Sequence, residues 1–221
     1  YQEQASLYPY SSIQAFNLWS LTGLWKDDGR LIFGVTHKLW GLIIFLGYYL
    51  SCIAYFLVRS KNNSNEANKS NNEAISIIFA STLILLGFFL LPTRMHERYL
   101  FPGLSFLAIT ATLNYKVKNL YTFLSFSFVI NLFYEFPGDK TNIGAPEFMK
   151  TFTQFLASGN MYTDNFGFFW FTPIAILNIY VIAMITLKLW KENLIEVSEE
   201  EIQAIKENKE ILDNENFVKP K

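Results

Sequence analysis

Five stretches of this chain are almost wholly apolar, and polar or charged text separates them. Leu39 to Val58 carries no charged residue. A helix rises about 1.5 Å per residue and the hydrocarbon layer of a bilayer is about 30 Å thick, so this stretch alone is long enough to cross. Ala74 to Leu91 follows and is closed by Pro92, which cannot continue a helix. Tyr99 to Tyr115 comes next, with Pro102 in its first turn, where a missing N–H costs little. Leu120 to Phe136 and Gly167 to Leu189 complete the set. The pattern predicts an all-α fold: a polytopic transmembrane helix bundle of five spans, with interfacial helices and a helical tail.

The text between the spans divides the chain further. Residues 1–37 are expected to form an outer-face interfacial segment. In it, aromatic and aliphatic side chains recur about every three positions from Ala15 to Trp25, ahead of an Asp27-Asp28-Gly29 turn. This predicts a helix lying in the membrane interface, where Trp is favoured. Residues 38–189 form the bundle, with outer loops at 92–98 and 137–166. Arg59 to Glu73 is Asn-rich and reads as a solvated loop. Its two glycosylation sequons, at Asn62 and Asn68, are of a kind that Asn-rich text produces by chance. In the long outer loop, Phe136-Pro137-Gly138-Asp139 reads as a turn, and a short helix is expected from Ala145-Pro146-Glu147 to near Gly159. Asp139, Glu147 and Asp164 have no spacing that pairs them, so they read as solvated or capping carboxylates. Residues 190–221 are a charged tail in which Ser198 and Glu201 form a capping box. It opens a surface helix carrying Ile202, Ile205, Ile211 and Leu212.

Composition agrees with a bilayer: 51% of residues are hydrophobic and the mean hydropathy is +0.19. The formal net charge of -1 provides no clustered cationic excess for a nucleic-acid partner. Cys52 is the single cysteine and lies in an apolar run, so it reads as a small buried hydrophobe. His37 has no partner ligand at metal spacing and reads as a boundary residue; metal ligands are expected to be none. The chain opens on Tyr1 without a basic segment leading into a short apolar one, and it reads as a piece of a longer protein.

Five spans put the two chain ends on opposite faces. Lys and Arg close to the membrane number seven on each face, and without Arg94 and Arg98 the count is five against seven. The positive-inside rule then places the tail in the cytoplasm and the 92–98 loop outside.

That loop holds the most informative charges of the chain. Arg94, His96, Glu97 and Arg98 interrupt apolar text between Ala74 and Leu113. Each such charge costs about 2.5 to 3.5 kcal/mol at the centre of a bilayer, so they belong at the rim or inside protein. Arg98 stands where a helix begins, and a cation there is mildly unfavourable. A bound anion reverses the sign, gaining from exposed N–H groups, two guanidinium forks and His96. Tyr99, Leu100 and Phe101 lie at the membrane boundary beside it, so the anion expected is the phosphate of a lipid.

The run Leu91-Pro92-Thr93-Arg94-Met95-His96-Glu97-Arg98-Tyr99-Leu100-Phe101-Pro102, with the upstream Ala15-Phe16-Asn17-Leu18-Trp19, resembles the polytopic bacterial glycosyltransferases of the GT-C superfamily. The nearest resemblance is to mannosyltransferases related to the second mannosyltransferase of GPI-anchor synthesis. It covers most of the membrane part of the chain but only the carboxyl half of such an enzyme. The resemblance implies a polyprenyl-phosphate sugar donor, an inverting transfer, an active site on the non-cytoplasmic face and a catalytic acidic residue in an outer loop farther upstream. The acceptor it implies is a glycan, glycolipid or protein. Carried over residue by residue, it assigns substrate contacts to Arg94, His96, Glu97 and Arg98, with Tyr99 beside them. Arg94 and Arg98 hold the donor phosphate, and no cofactor beyond an optional divalent cation is implied. The competing expectation is a non-enzymatic lipid-phosphate transporter or flippase subunit. That class calls for polar or interrupted helices in the span interiors.

Overall fold

The computed structural model describes residues 8–62, 66–135 and 167–191. The expected short helix after Ala145, the acidic residues of the long loop, the sequon residue Asn63 and the tail helix lie outside these residues. Among the described residues there are five α-helices: α1 (His37–Asn62), α2 (Glu66–Leu90), α3 (Phe101–Leu113), α4 (Lys118–Glu135) and α5 (Gly167–Lys191). They match the five apolar stretches in order, and the chain is mostly helical. Much of Arg59 to Glu73, expected as a loop, is helical, since α1 runs to Asn62 and α2 starts at Glu66.

Three helical segments are long and apolar enough to cross a membrane: His37–Val58, Glu73–Leu90 and Phe171–Lys191. The other two fall short for different reasons. The 13 residues of α3 reach about 20 Å. It starts later than expected, because Glu97–Leu100 winds as a separate 3-10 turn ahead of it. Its far end comes at Asn114, whose side chain accepts from Lys116 N and starts another short turn. The 18 residues of α4 are longer, but Lys118, Asn119, Ser127 and Asn131 dilute their apolar character.

Side-chain contacts fix how the helices alternate. Late in α1, the Tyr55 hydroxyl donates to Leu189 O near the end of α5, and its ring stacks on Trp190 at 5.6 Å. Tyr48 and Thr186 pair their hydroxyls at 2.9 Å one level nearer the other end. Between α2 and α3, Thr82 Oγ1 lies 2.7 Å from Thr110 Oγ1. Both are fully buried; one hydroxyl donates to the other, which donates to the carbonyl one turn back in its own helix, so neither of the two is stranded. At Gly87 of α2, a Cβ would fall 2.4 Å from the Tyr48 ring, so a residue without a side chain is what brings α1 and α2 this close.

The core follows from this packing. Phe79, Leu83, Leu86 and Phe89 of α2 are fully buried and meet Leu107 of α3, Leu124 of α4 and Ile182, Ile185 and Leu189 of α5. Helix α2 is thus central. By contrast, α1 leaves Leu39, Leu42, Ile43, Leu46, Leu50, Leu57 and Val58 exposed, as a helix facing lipid does.

The amino segment departs from expectation. Only Leu18–Thr22 is helical, as a single 3-10 turn. Asn17 starts it by accepting from Trp19 N and Ser20 N, and Gly23, at φ 107°, ends it. The residues expected to lie on the interface are instead inside the protein: Ile13, Ala15, Phe16, Asn17, Trp19 and Ser20 are all buried. The segment is packed against the end of the bundle where α1 begins and α2 finishes.

Candidate functional site

The site is built where this amino segment meets the connection between α2 and α3. A polypeptide that is neither helix nor sheet must find a partner for each buried N–H and C=O. Here the partners come from distant parts of the chain. Arg94 N donates to Tyr10 O at 3.1 Å, and Ile13 N to Met95 O at 3.1 Å. The Trp19 indole donates to Leu91 O at 2.6 Å, and the Asn17 amide to Pro92 O at 3.3 Å. From the helices, Asn131 accepts from Phe16 N at 3.1 Å and donates to Gln14 O at 2.6 Å. Asn178 donates to Phe16 O at 2.8 Å and accepts from the Ser127 hydroxyl. The backbone around Phe16 is therefore clamped between α4 and α5, and its ring stacks on Phe171 of α5.

Arg94 is the first of the charged residues singled out in the sequence. Its backbone is in the left-handed region, at φ 65°, which bulky residues seldom adopt. Its guanidinium forms a two-point ion pair with Asp28: Nε to Oδ2 at 2.6 Å and Nη2 to Oδ1 at 3.3 Å. The Asp28 side chain is 6% exposed and that of Arg94 is 25% exposed. Sequence reasoning placed Arg94 on the ligand phosphate; the fold gives its guanidinium to a buried carboxylate of the same chain. Asp28 is held in turn by its backbone, which donates to Pro9 O and accepts from Lys38 N.

His96, Glu97, Arg98 and Tyr99 do come together. Glu97 is buried, and its carboxylate lies 3.9 Å from His96 Nδ1 through Oε2 and 3.9 Å from Arg98 Nη1 through Oε1. These are ion-pair distances and too long for hydrogen bonds. Glu97 Oε2 is buried and has no hydrogen-bond partner. The His96 ring meets Tyr8 and Tyr99 edge-on, at 6.0 and 5.6 Å. Arg98 is the most exposed of the group, with its side chain 63% exposed and its guanidinium 5.7 Å from the centre of the Tyr99 ring. Tyr99 is exposed, as are its chain neighbour Phe101 and Phe88, whose ring lies 6.4 Å from that of Tyr99.

The helix start offers an anion less than expected. Tyr99 N already donates to His96 O, Phe101 N donates to Arg98 O, and Pro102 has no N–H to offer. An anion at this rim would be held by side chains, with Arg98 foremost.

Two polar residues escaped sequence reasoning. In the sequence Asp28 stands only as part of a turn, and it is Asp27 that makes that turn, accepting from Gly29 N at 2.7 Å. His37, a boundary residue by its sequence, is buried, its Nδ1 lies 2.8 Å from Ser11 Oγ and its ring packs on Trp19 at 5.0 Å. Only the proximity of Asp28 to the Asp27 turn could have flagged the former; nothing local flags His37. Among the described residues, no group of three or more His, Cys, Asp or Glu side chains is placed to hold a metal ion.

Burial is the main reason that His96 titrates below its ordinary 6.5, with the Arg98 charge adding to the effect and Glu97 opposing it. A histidine whose folded pKa is lowered binds fewer protons than the unfolded chain just below pH 6.5. His96 therefore contributes nothing above that pH and lowers stability as pH falls through the window down to its folded pKa. Unfolding in detergent across this range should show a smaller acid-side loss for His96→Gln than for the wild type; equal losses would contradict the burial described. Arg94→Ala should lower stability by about 1 to 3 kcal/mol, because Asp28 is left charged and buried, discounted for the partial exposure of Arg94. Adding Asp28→Asn to Arg94→Ala should recover part of that loss in the same measurement.

Comparison with protein-family models, with curated proteins and with solved structures finds no match for this chain.

Proposed function

We propose that this chain is the substrate-holding, carboxyl-terminal part of a GT-C-type membrane glycosyltransferase. The reaction moves a sugar, with mannose the favoured one, from a polyprenyl phosphate to an acceptor on the non-cytoplasmic face of a bacterial cytoplasmic membrane. The observation that carries this reading is Arg98. Its exposed guanidinium lies 5.7 Å from the centre of the exposed Tyr99 ring and 3.9 Å from the buried Glu97 carboxylate, in the connection between two apolar helices. A lipid-linked phosphate needs both halves of such a place, a cation for its head and apolar surface for its chain.

In an inverting transfer the acceptor hydroxyl attacks the anomeric carbon as the bond to the donor phosphate breaks. The departing polyprenyl phosphate gains negative charge, and Arg98 lies ready to offset it. Arg94, tied to Asp28, acts here by fixing the turn that carries His96 to Arg98. The buried Glu97 carboxylate lies between His96 and Arg98 and acts by positioning them, and His96, uncharged at neutral pH, can donate or accept a hydrogen bond to the sugar. The acidic group that activates the acceptor is assigned to the upstream outer loop that the GT-C resemblance implies.

The transporter reading needs polar groups along the span interiors. The buried polar side chains at the α4–α5 contact, Ser127, Asn131 and Asn178, are taken up by one another and by the backbone around Phe16, so they do not line a path between those two helices.

In membranes containing the full-length protein and a polyprenyl-phosphate sugar, Arg98→Ala should reduce transfer by roughly 100-fold or more, the scale expected for removing a donor that stabilises developing charge. Membrane insertion should be unchanged, because the Arg98 side chain is largely exposed. Undiminished turnover would overturn the assignment.

A further inference from the structure

Strands β1 (Leu31–Ile32) and β2 (Val35–Thr36) form a short antiparallel ribbon, pairing Leu31 with Thr36 and Ile32 with Val35. Its two-residue turn is Phe33, at φ 51°, and Gly34, at φ 80°. A turn with both central residues at positive φ matches the twist of a hairpin and is ordinarily made by Asn-Gly. Gly34 meets that demand without strain; Phe33 does not. The Phe33 side chain is also the most exposed large apolar group described, at 96%, with Leu31 beside it at 66%. In water such a residue would be unfavourable twice over, through its backbone and through its ring. Strain held at an exposed site points to something outside the fold that gains from it.

The position of the ribbon identifies what that is. His37 N donates to Arg30 O at 3.0 Å, and the Trp40 indole donates to Ile32 O at 3.0 Å. The ribbon is thereby fixed beside the first turn of α1, where the apolar stretch His37–Val58 begins. Leu39, Leu42 and Ile43, in the first two turns of that helix, are exposed as well. Arg30 and Lys38 are exposed on either side of the ribbon, and no acidic residue occurs from Gly29 to Asn62. Apolar tip, flanking cations and a nearby indole are the composition of a segment at the boundary between phospholipid head groups and acyl chains.

We propose that the ribbon of residues 31–36 is a membrane-interface finger, with Phe33 and Leu31 inserted among the phospholipids at the amino-terminal end of α1 and Arg30 and Lys38 on their phosphates. It takes the interfacial place that the sequence pattern assigned to Ala15 to Trp25. Neither the sugar donor nor transfer activity enters into it.

The test uses the chain with Cys52→Ala and Phe33→Cys, labelled with an environment-sensitive nitrobenzoxadiazole dye and reconstituted into phosphatidylcholine–phosphatidylglycerol vesicles. Circular dichroism establishes that helix content is retained. The expected result is a blue-shifted emission that is quenched by a nitroxide placed on the lipid acyl chain close to the head group, with iodide in the water quenching far less than it does the same dye on glutathione. Iodide quenching equal to that of the glutathione conjugate would place the ribbon in water and overturn the proposal. Protection from both iodide and the nitroxide lipid would mean that protein covers the ribbon, and would overturn it equally. Neither result bears on sugar transfer, so this inference and the transferase reading fail separately.

Discussion

Everything at the charged end of this helix bundle depends on satisfying the backbone of one irregular segment inside an apolar bundle. Residues Tyr10 to Ser20 run without regular structure apart from the start of one 3-10 turn, yet most of them are buried. Each unpaired backbone group there would cost on the order of a hydrogen bond's desolvation, about 1 to 3 kcal/mol. Asn131 and Asn178 remove that cost at Gln14 and Phe16, and Asn17 and Trp19 do the reverse service for the carbonyls of Leu91 and Pro92. The polar side chains inside the bundle and the irregular backbone are thus one system. Losing either half would leave the other unsatisfied.

The charged rim is shaped by that system. Because Tyr10, Ser12 and Ile13 pair with Arg94 and Met95, the turn after α2 cannot relax into an ordinary helical hairpin. Arg94 is held at a left-handed φ and turned toward Asp28, while the next residues wind into the 3-10 turn Glu97–Leu100. That turn buries Glu97 and leaves Arg98 facing outward. Two adjacent residues of opposite charge thereby receive opposite environments.

The helices were legible in the sequence because a lipid-facing or core helix needs a continuous apolar run, which is a local property. The prolines were legible too: Pro92 follows the end of α2, and Pro102 sits in the first turn of α3. The ends of α3 were not, since the 3-10 turn before it and the Asn114 cap after it depend on partners rather than periodicity. The amino segment misled for a related reason. Its three-residue apolar spacing resembles a helix, but Asn131 and Asn178 reach it across 115 and 162 residues of chain, and no spacing within residues 15–25 encodes them. Of the charged motif, the grouping of His96 to Tyr99 was readable as a cluster. The division of labour between Arg94 and Arg98 was not, because it rests on Asp28, which reads locally as a turn residue.

The segment of residues 10–20 is a fixed, buried part of the bundle. Amide hydrogen exchange of the intact chain in detergent micelles or nanodiscs, followed by mass spectrometry, tests it directly. Peptides covering residues 10–20 should exchange as slowly as those from the middle of α2, since the Ile13 and Phe16 amides are bonded and buried. Exchange as fast as that of an unstructured peptide would contradict the account.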